Sequence, residues 1–116
     1  MKLRIMTMFT ALAAGGCSGS GVSVPAQFRG TWGADCASPF VQFDDGTAKA
    51  FPDNVTYTLK SATLAGSELS VTYEDASRGG TVTDVYVAEG KKLRLDRTKV
   101  GTGEATWHKA PMNKCN

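Results

Sequence analysis

Three segments of this chain alternate apolar and polar side chains with a period of two. Val55, Tyr57 and Leu59 are set against Asn54, Thr56, Thr58 and Lys60; Leu69, Val71 and Tyr73 against Glu68, Ser70, Thr72 and Glu74; Leu93 and Leu95 against Lys92, Arg94 and Asp96. Successive side chains of an extended strand point to opposite faces, so the pattern specifies sheets with one apolar face and one wet face. Residues 30–35, 40–43, 81–87 and 104–109 read as further strands from their β-branched and aromatic content. Between these segments lie Asp44-Asp45-Gly46, Pro52-Asp53-Asn54, Ala65-Gly66-Ser67, Arg78-Gly79-Gly80 and Glu89-Gly90-Lys91, residues suited to the positive backbone angles of hairpins. No stretch of helical length carries apolar residues at three-and-four spacing. The sequence therefore predicts an all-β domain, an antiparallel up-and-down meander of about seven strands. Its apolar face must be covered, either by closing into a barrel or by folding as a β-sandwich, and the short links favour the barrel.

Ahead of this domain, Lys2 and Arg4 precede an apolar run over 5–14. The run has the length of a signal-peptide core and is too short to span a bilayer. Residues 1–16 thus read as a signal peptide. The stretch Ala14-Gly15-Gly16-Cys17 resembles the lipobox of bacterial lipoproteins. That resemblance implies that the Cys17 thiol carries diacylglycerol and becomes the acylated mature N-terminus, the several chains together making a stable anchor. Ser18 follows the cysteine where Asp would retain a lipoprotein at the inner membrane, so the resemblance implies the periplasmic face of the outer membrane. Ala14 stands where the family usually has Leu, which leaves simple secretion open. Residues 17–25 read as the lipidated cysteine and a flexible Gly/Ser linker, with a reach on the order of 15 Å, and 26–116 as a single β-domain.

With Cys17 given to lipid, Cys36 and Cys115 remain of the three cysteines. In an exported protein such a pair is expected to form a disulfide. His108 is the only histidine and no paired-cysteine spacing is present, so no metal or other cofactor is expected. Removing residues 1–16 leaves eleven basic residues against eleven acidic. A chain with no net charge gives no support to nucleic-acid binding. The local cluster Lys91, Lys92, Arg94, Arg97 and Lys99 reads as a solvated strand face.

Gly30-Thr31-Trp32 is similar to the first-strand signature of the calycin superfamily, the lipocalins, fatty-acid-binding proteins and avidins. The resemblance implies a barrel whose glycine lets the strand bend and whose tryptophan plugs the closed end beneath an arginine from a late strand. Arg94 or Arg97 is the candidate for that cover, and Trp32, Arg94 and Arg97 are the candidate ligand or barrel-plug residues. The likeness spans about twenty residues, and no binding residue is carried over from it.

Catalytic residues are not expected. His108 shares a strand face with Glu104 and Thr106 at the surface, the acidic pairs Asp44-Asp45 and Glu74-Asp75 sit at turn edges, and no motif for a nucleophile, phosphate loop or metalloprotease is present. The expectation is a non-enzymatic binding module at the periplasmic face of the outer membrane. Its partner is a periplasmic protein, in the manner of lysozyme inhibitors or immunity proteins; the alternative is a calycin-like carrier of a small apolar ligand. The carrier requires inward space between Trp32, Tyr57, Tyr73 and Tyr86, and fails if those rings touch across the interior.

Overall fold

Nine antiparallel strands occupy the alternating segments in the computed structural model, which describes residues 22–116. The signal-peptide segment and Cys17 lie outside the described residues. After a 3-10 turn at Ala26–Phe28 come β1 (Gly30–Gly33), β2 (Val41–Phe43), β3 (Thr47–Ala50), β4 (Val55–Ala65) and β5 (Glu68–Asp75). A second 3-10 turn, Ala76–Arg78, leads to β6 (Gly80–Glu89), β7 (Lys92–Val100), β8 (Gly103–Thr106) and β9 (Asn113–Lys114). From β1 to β8 every strand pairs with its sequence neighbour, and β9 adds itself outside β1. The meander was expected; two of its strands, Thr47–Ala50 and Asn113–Lys114, were not.

The sheet curls into a half-barrel. Leu93 of β7 and Met112, just before β9, exchange two backbone hydrogen bonds of 3.1 and 2.7 Å. Two bulges bend the long strands. The pairing of β4 with β5 shifts between Leu59 and Ser61, and that of β6 with β7 between Val85 and Tyr86, where Asp96 is the extra residue. An extra residue sharpens twist and coil, and here it also reverses which side chains face inward.

The enclosed core holds Val24, Phe28, Trp32, Val41, Phe43, Leu59, Leu69, Val71, Val82, Leu93 and Met112 among others. Val24 is fully buried, and its N–H donates to the Asp45 carbonyl at 2.7 Å. The folded unit therefore includes Val24 and begins ahead of the boundary placed after Pro25, because Val22 and Val24 alternate like strand residues and pack on the core. At the first strand Gly30 has φ +128°, and a Cβ there would stand 2.9 Å from the Asn116 carbonyl and from Lys114 Cε. The glycine thus admits the C-terminus alongside β1. That contact is tied by the Cys36–Cys115 disulfide, with Cα atoms 5.6 Å apart.

Candidate cavity at the open end of the sheet

Trp32 is buried at one end of the curl. Its indole Nε1 donates to the Phe28 carbonyl at 2.8 Å, and a hollow of about 350 Å³ beside it is bordered by Phe28 and by Ala88, Gly90, Lys91 and Lys92 around the β6–β7 hairpin. Neither Arg94 nor Arg97 covers it. Arg94 binds Glu89 and Asp96, each at 3.1 Å, and Arg97 binds Asp96 at 2.7 Å and Glu68 at 3.1 Å. Strict alternation would set Arg97 on the inner face with Leu93 and Leu95. The bulge at Asp96 turns Arg97 outward and Thr98 inward, while Arg94 faces outward by the alternation itself. Hydrogen bonds from Arg97 and Arg94 hold the Asp96 carboxyl below its ordinary pKa.

The curl opens at a second site. A cavity of about 230 Å³ is walled by Phe40, Val41, Ala48, Ala50, Phe51, Val71 and Leu95. Tyr57, Tyr73, Tyr86, Arg78, Asp84, Thr98, Trp107 and Lys109 supply the polar and aromatic remainder. The small side chains of β3 leave this space, whereas Phe43 meets Tyr86 edge-on across the interior, ring centres 5.3 Å apart, and fills the core behind it. Tyr57 and Tyr73 touch as neighbours on adjacent strands, at 4.5 Å. Three of the four rings expected around an inward space therefore gather there, while Trp32 borders the other hollow.

One chain of hydrogen bonds runs through the wall. Tyr57 Oη donates to Asp75 at 3.1 Å, Arg78 Nε donates to the same carboxylate at 2.8 Å, and Arg78 Nη2 donates to Tyr73 Oη at 2.8 Å. Tyr73 Oη in turn donates to Asp84 at 2.6 Å. Thr98 Oγ1 donates to the other Asp84 oxygen at 2.7 Å and accepts from Trp107 Nε1 at 2.9 Å. Burial, and then the charge and hydrogen bond of Asp84, push the Tyr73 phenol far above its usual pKa, and burial raises Tyr86 likewise. Both stay neutral hydroxyls near pH 7. Burial works against the Arg78 charge, but the bonds to Asp75 and Tyr73 outweigh it and raise its pKa further.

Hydrogen bonds from Ser77 and Arg78 lower the Asp75 carboxyl from 3.8 to about 2. Such a group adds stability that is complete above its unfolded pKa and is lost as pH falls from there through the folded value. Urea midpoints measured from pH 5 to pH 2 should fall for the native chain and fall less steeply for Asp75→Asn. An identical acid limb in the variant would show that Asp75 contributes nothing there.

Sequence reasoning passed over most of this wall. Asp84 shares its parity with Val82 and Tyr86, the one signal that it faces inward; Arg78 sat in a turn and gave none. The expected last strand, 104–109, ends instead at Thr106, and residues 107–111 run as a strap beside the mouth, Trp107 N–H bonding the Asp96 carbonyl at 2.8 Å. His108 is exposed on that strap, and Glu104 pairs with Arg97 and Lys99. Among the described residues, no three His, Cys, Asp or Glu side chains gather where they could hold a metal ion. No family model, curated protein or solved structure matches this chain.

Proposed function

We propose that this protein is a non-enzymatic binding module, exported and held by an acylated Cys17 at the periplasmic face of the outer membrane, that carries a small, mostly apolar ligand in the open end of its curled sheet. The observation that supports the carrier is the cavity: a concave, largely apolar and aromatic space with a few convergent polar groups is the common form of a small-molecule site. The lipobox resemblance supports the anchor, and the Cys36–Cys115 bond suits an oxidising compartment. This favours the carrier over capture of a periplasmic protein, which relies on no comparable feature.

Native mass spectrometry of the oxidised domain, residues 22–116, against a panel of small aromatic and aliphatic compounds tests the reading. One equivalent should bind, and Ala50→Leu, which adds three carbons at the cavity wall, should weaken binding at least about tenfold, or roughly 1.4 kcal/mol. Retention of a muramidase or another periplasmic protein by the immobilised domain, with no small molecule bound, would instead support the protein-partner reading.

A further inference from the structure

We infer that the ligand is an organic cation, a compact apolar body bearing an ammonium group, with Asp84 as its counter-ion; this rests on the cavity being a ligand site. Asp84 is only 8 % exposed, lines the cavity, and accepts hydrogen bonds from two neutral hydroxyls, Tyr73 Oη and Thr98 Oγ1. Among the described residues it has no ion-pair partner. Arg78 reaches only to the Tyr73 hydroxyl, and its own charge is matched by Asp75 at 2.8 Å. A carboxylate in such surroundings gains most from a cation brought to it, since buried charges are normally paired.

The walls fit the same chemistry. Rings attract cations over their faces; Tyr73 already carries the Arg78 guanidinium at 5.6 Å, and Tyr57, Tyr86 and Trp107 also border the space. The chain itself sets an ammonium at the mouth: Lys109 Nζ stands 5.3 Å from the Phe40 ring centre and 5.4 Å from that of Trp107. Lys109 belongs to the exposed strap over 107–111, which holds no strand pairing, so its ammonium can leave when another takes the place. Arg78 also lines the space, but its charge is matched by Asp75 at 2.8 Å, so an anion would still meet the Asp84 charge in a poorly solvated space, and a neutral compound would leave that charge without an ion partner. Size limits the body to one ring with a short arm, since an apolar cavity of about 150 Å³ already accommodates benzene.

Benzylammonium, benzyl alcohol and benzoate share one ring and differ in charge. Calorimetric titration of the oxidised domain, residues 22–116, at pH 7 should give benzylammonium an affinity at least about tenfold above benzyl alcohol, with benzoate weakest. Asp84→Asn should reduce benzylammonium to the level of the alcohol. Lys109→Met, which removes the competing ammonium and leaves Asp84 in place, should tighten benzylammonium several-fold, and this second variant decides the matter if Asp84→Asn does not fold. Equal or tighter binding of the alcohol or of benzoate overturns the cation while leaving the cavity as a ligand site; if none of the three binds, the carrier itself falls.

Discussion

A Cys36→Ser/Cys115→Ser double variant is expected to lose roughly 4–5 kcal/mol of stability, because the bond closes a loop across a sequence separation of 79 residues. In the chain-entropy model the effect acts through the unfolded state, where the cross-link removes conformations that the reduced chain regains on unfolding. The native contacts at this end are few. β9 pairs with β1 through Asn113 and Lys114 alone, helped by Cys115 N–H to the Thr31 carbonyl at 2.7 Å and Thr31 N–H to Asn116 Oδ1 at 2.9 Å. Without the cross-link the strand is anchored on its near side by buried Met112, with its two bonds to Leu93, while the segment from Asn113 onward is free to fray from the outer edge of β1. For a domain this small, each kcal/mol moves the melting temperature by about 4–8 °C, so a fall of about 16–40 °C should appear in thermal unfolding of the double variant and of the native chain under reductant. A shift under about 5 °C would mean that the strand ladders alone hold the ends together. Amide exchange offers a local readout, since Thr31 and Gly33, whose backbone groups face β9, should lose protection before β5 and β6 do.

Side-chain period carried the fold class, because a one-residue slip in a half-buried strand exposes its apolar face and is strongly opposed. Leu69, Val71 and Tyr73 face the core as their spacing requires. What the period cannot express is a change of phase. Asp96 looks like one more polar residue opposite Leu95, yet as the extra residue of a bulge it exchanges the faces of Arg97 and Thr98, moving a candidate plug to the surface and a hydroxyl into the cavity wall. β3 was hidden for another reason. Thr47–Ala50 offers two alanines and a lysine, which have little intrinsic preference for strands, and its ladders come from β2 and β4 on either side. The same alanines make the cavity. Asp84 was passed over because a carboxylate within a strand is ordinarily solvated, and only the hydroxyls of Tyr73 and Thr98, brought from β5 and β7, make its burial tolerable.

Replacing Phe43 by Ala is expected to destabilise the protein by about 3–5 kcal/mol, the usual range for truncating a fully buried phenylalanine. Phe43 has no exposed surface, and its ring packs edge-on against Tyr86, a contact that stabilises beyond simple burial. The position separates the filled half of the interior from the open half, for Tyr86 lines the cavity and Phe43 supports it from behind. Phe43→Leu keeps most of the volume and loses only the ring contact and some area, so it should cost about 1–1.5 kcal/mol. The two variants then separate packing from the cavity. In Phe43→Ala the new space adjoins Tyr86, Leu69 and Leu93 are among the fully buried side chains of the same core, and an apolar void of this kind stays dry and accepts benzene. Millimolar benzene should therefore raise the melting temperature of Phe43→Ala more than that of the native chain or of Phe43→Leu, as any ligand selective for the folded state must. Equal stabilisation of all three proteins would mean that the interior collapses around the missing ring, and that Phe43 does not hold up the floor of the cavity.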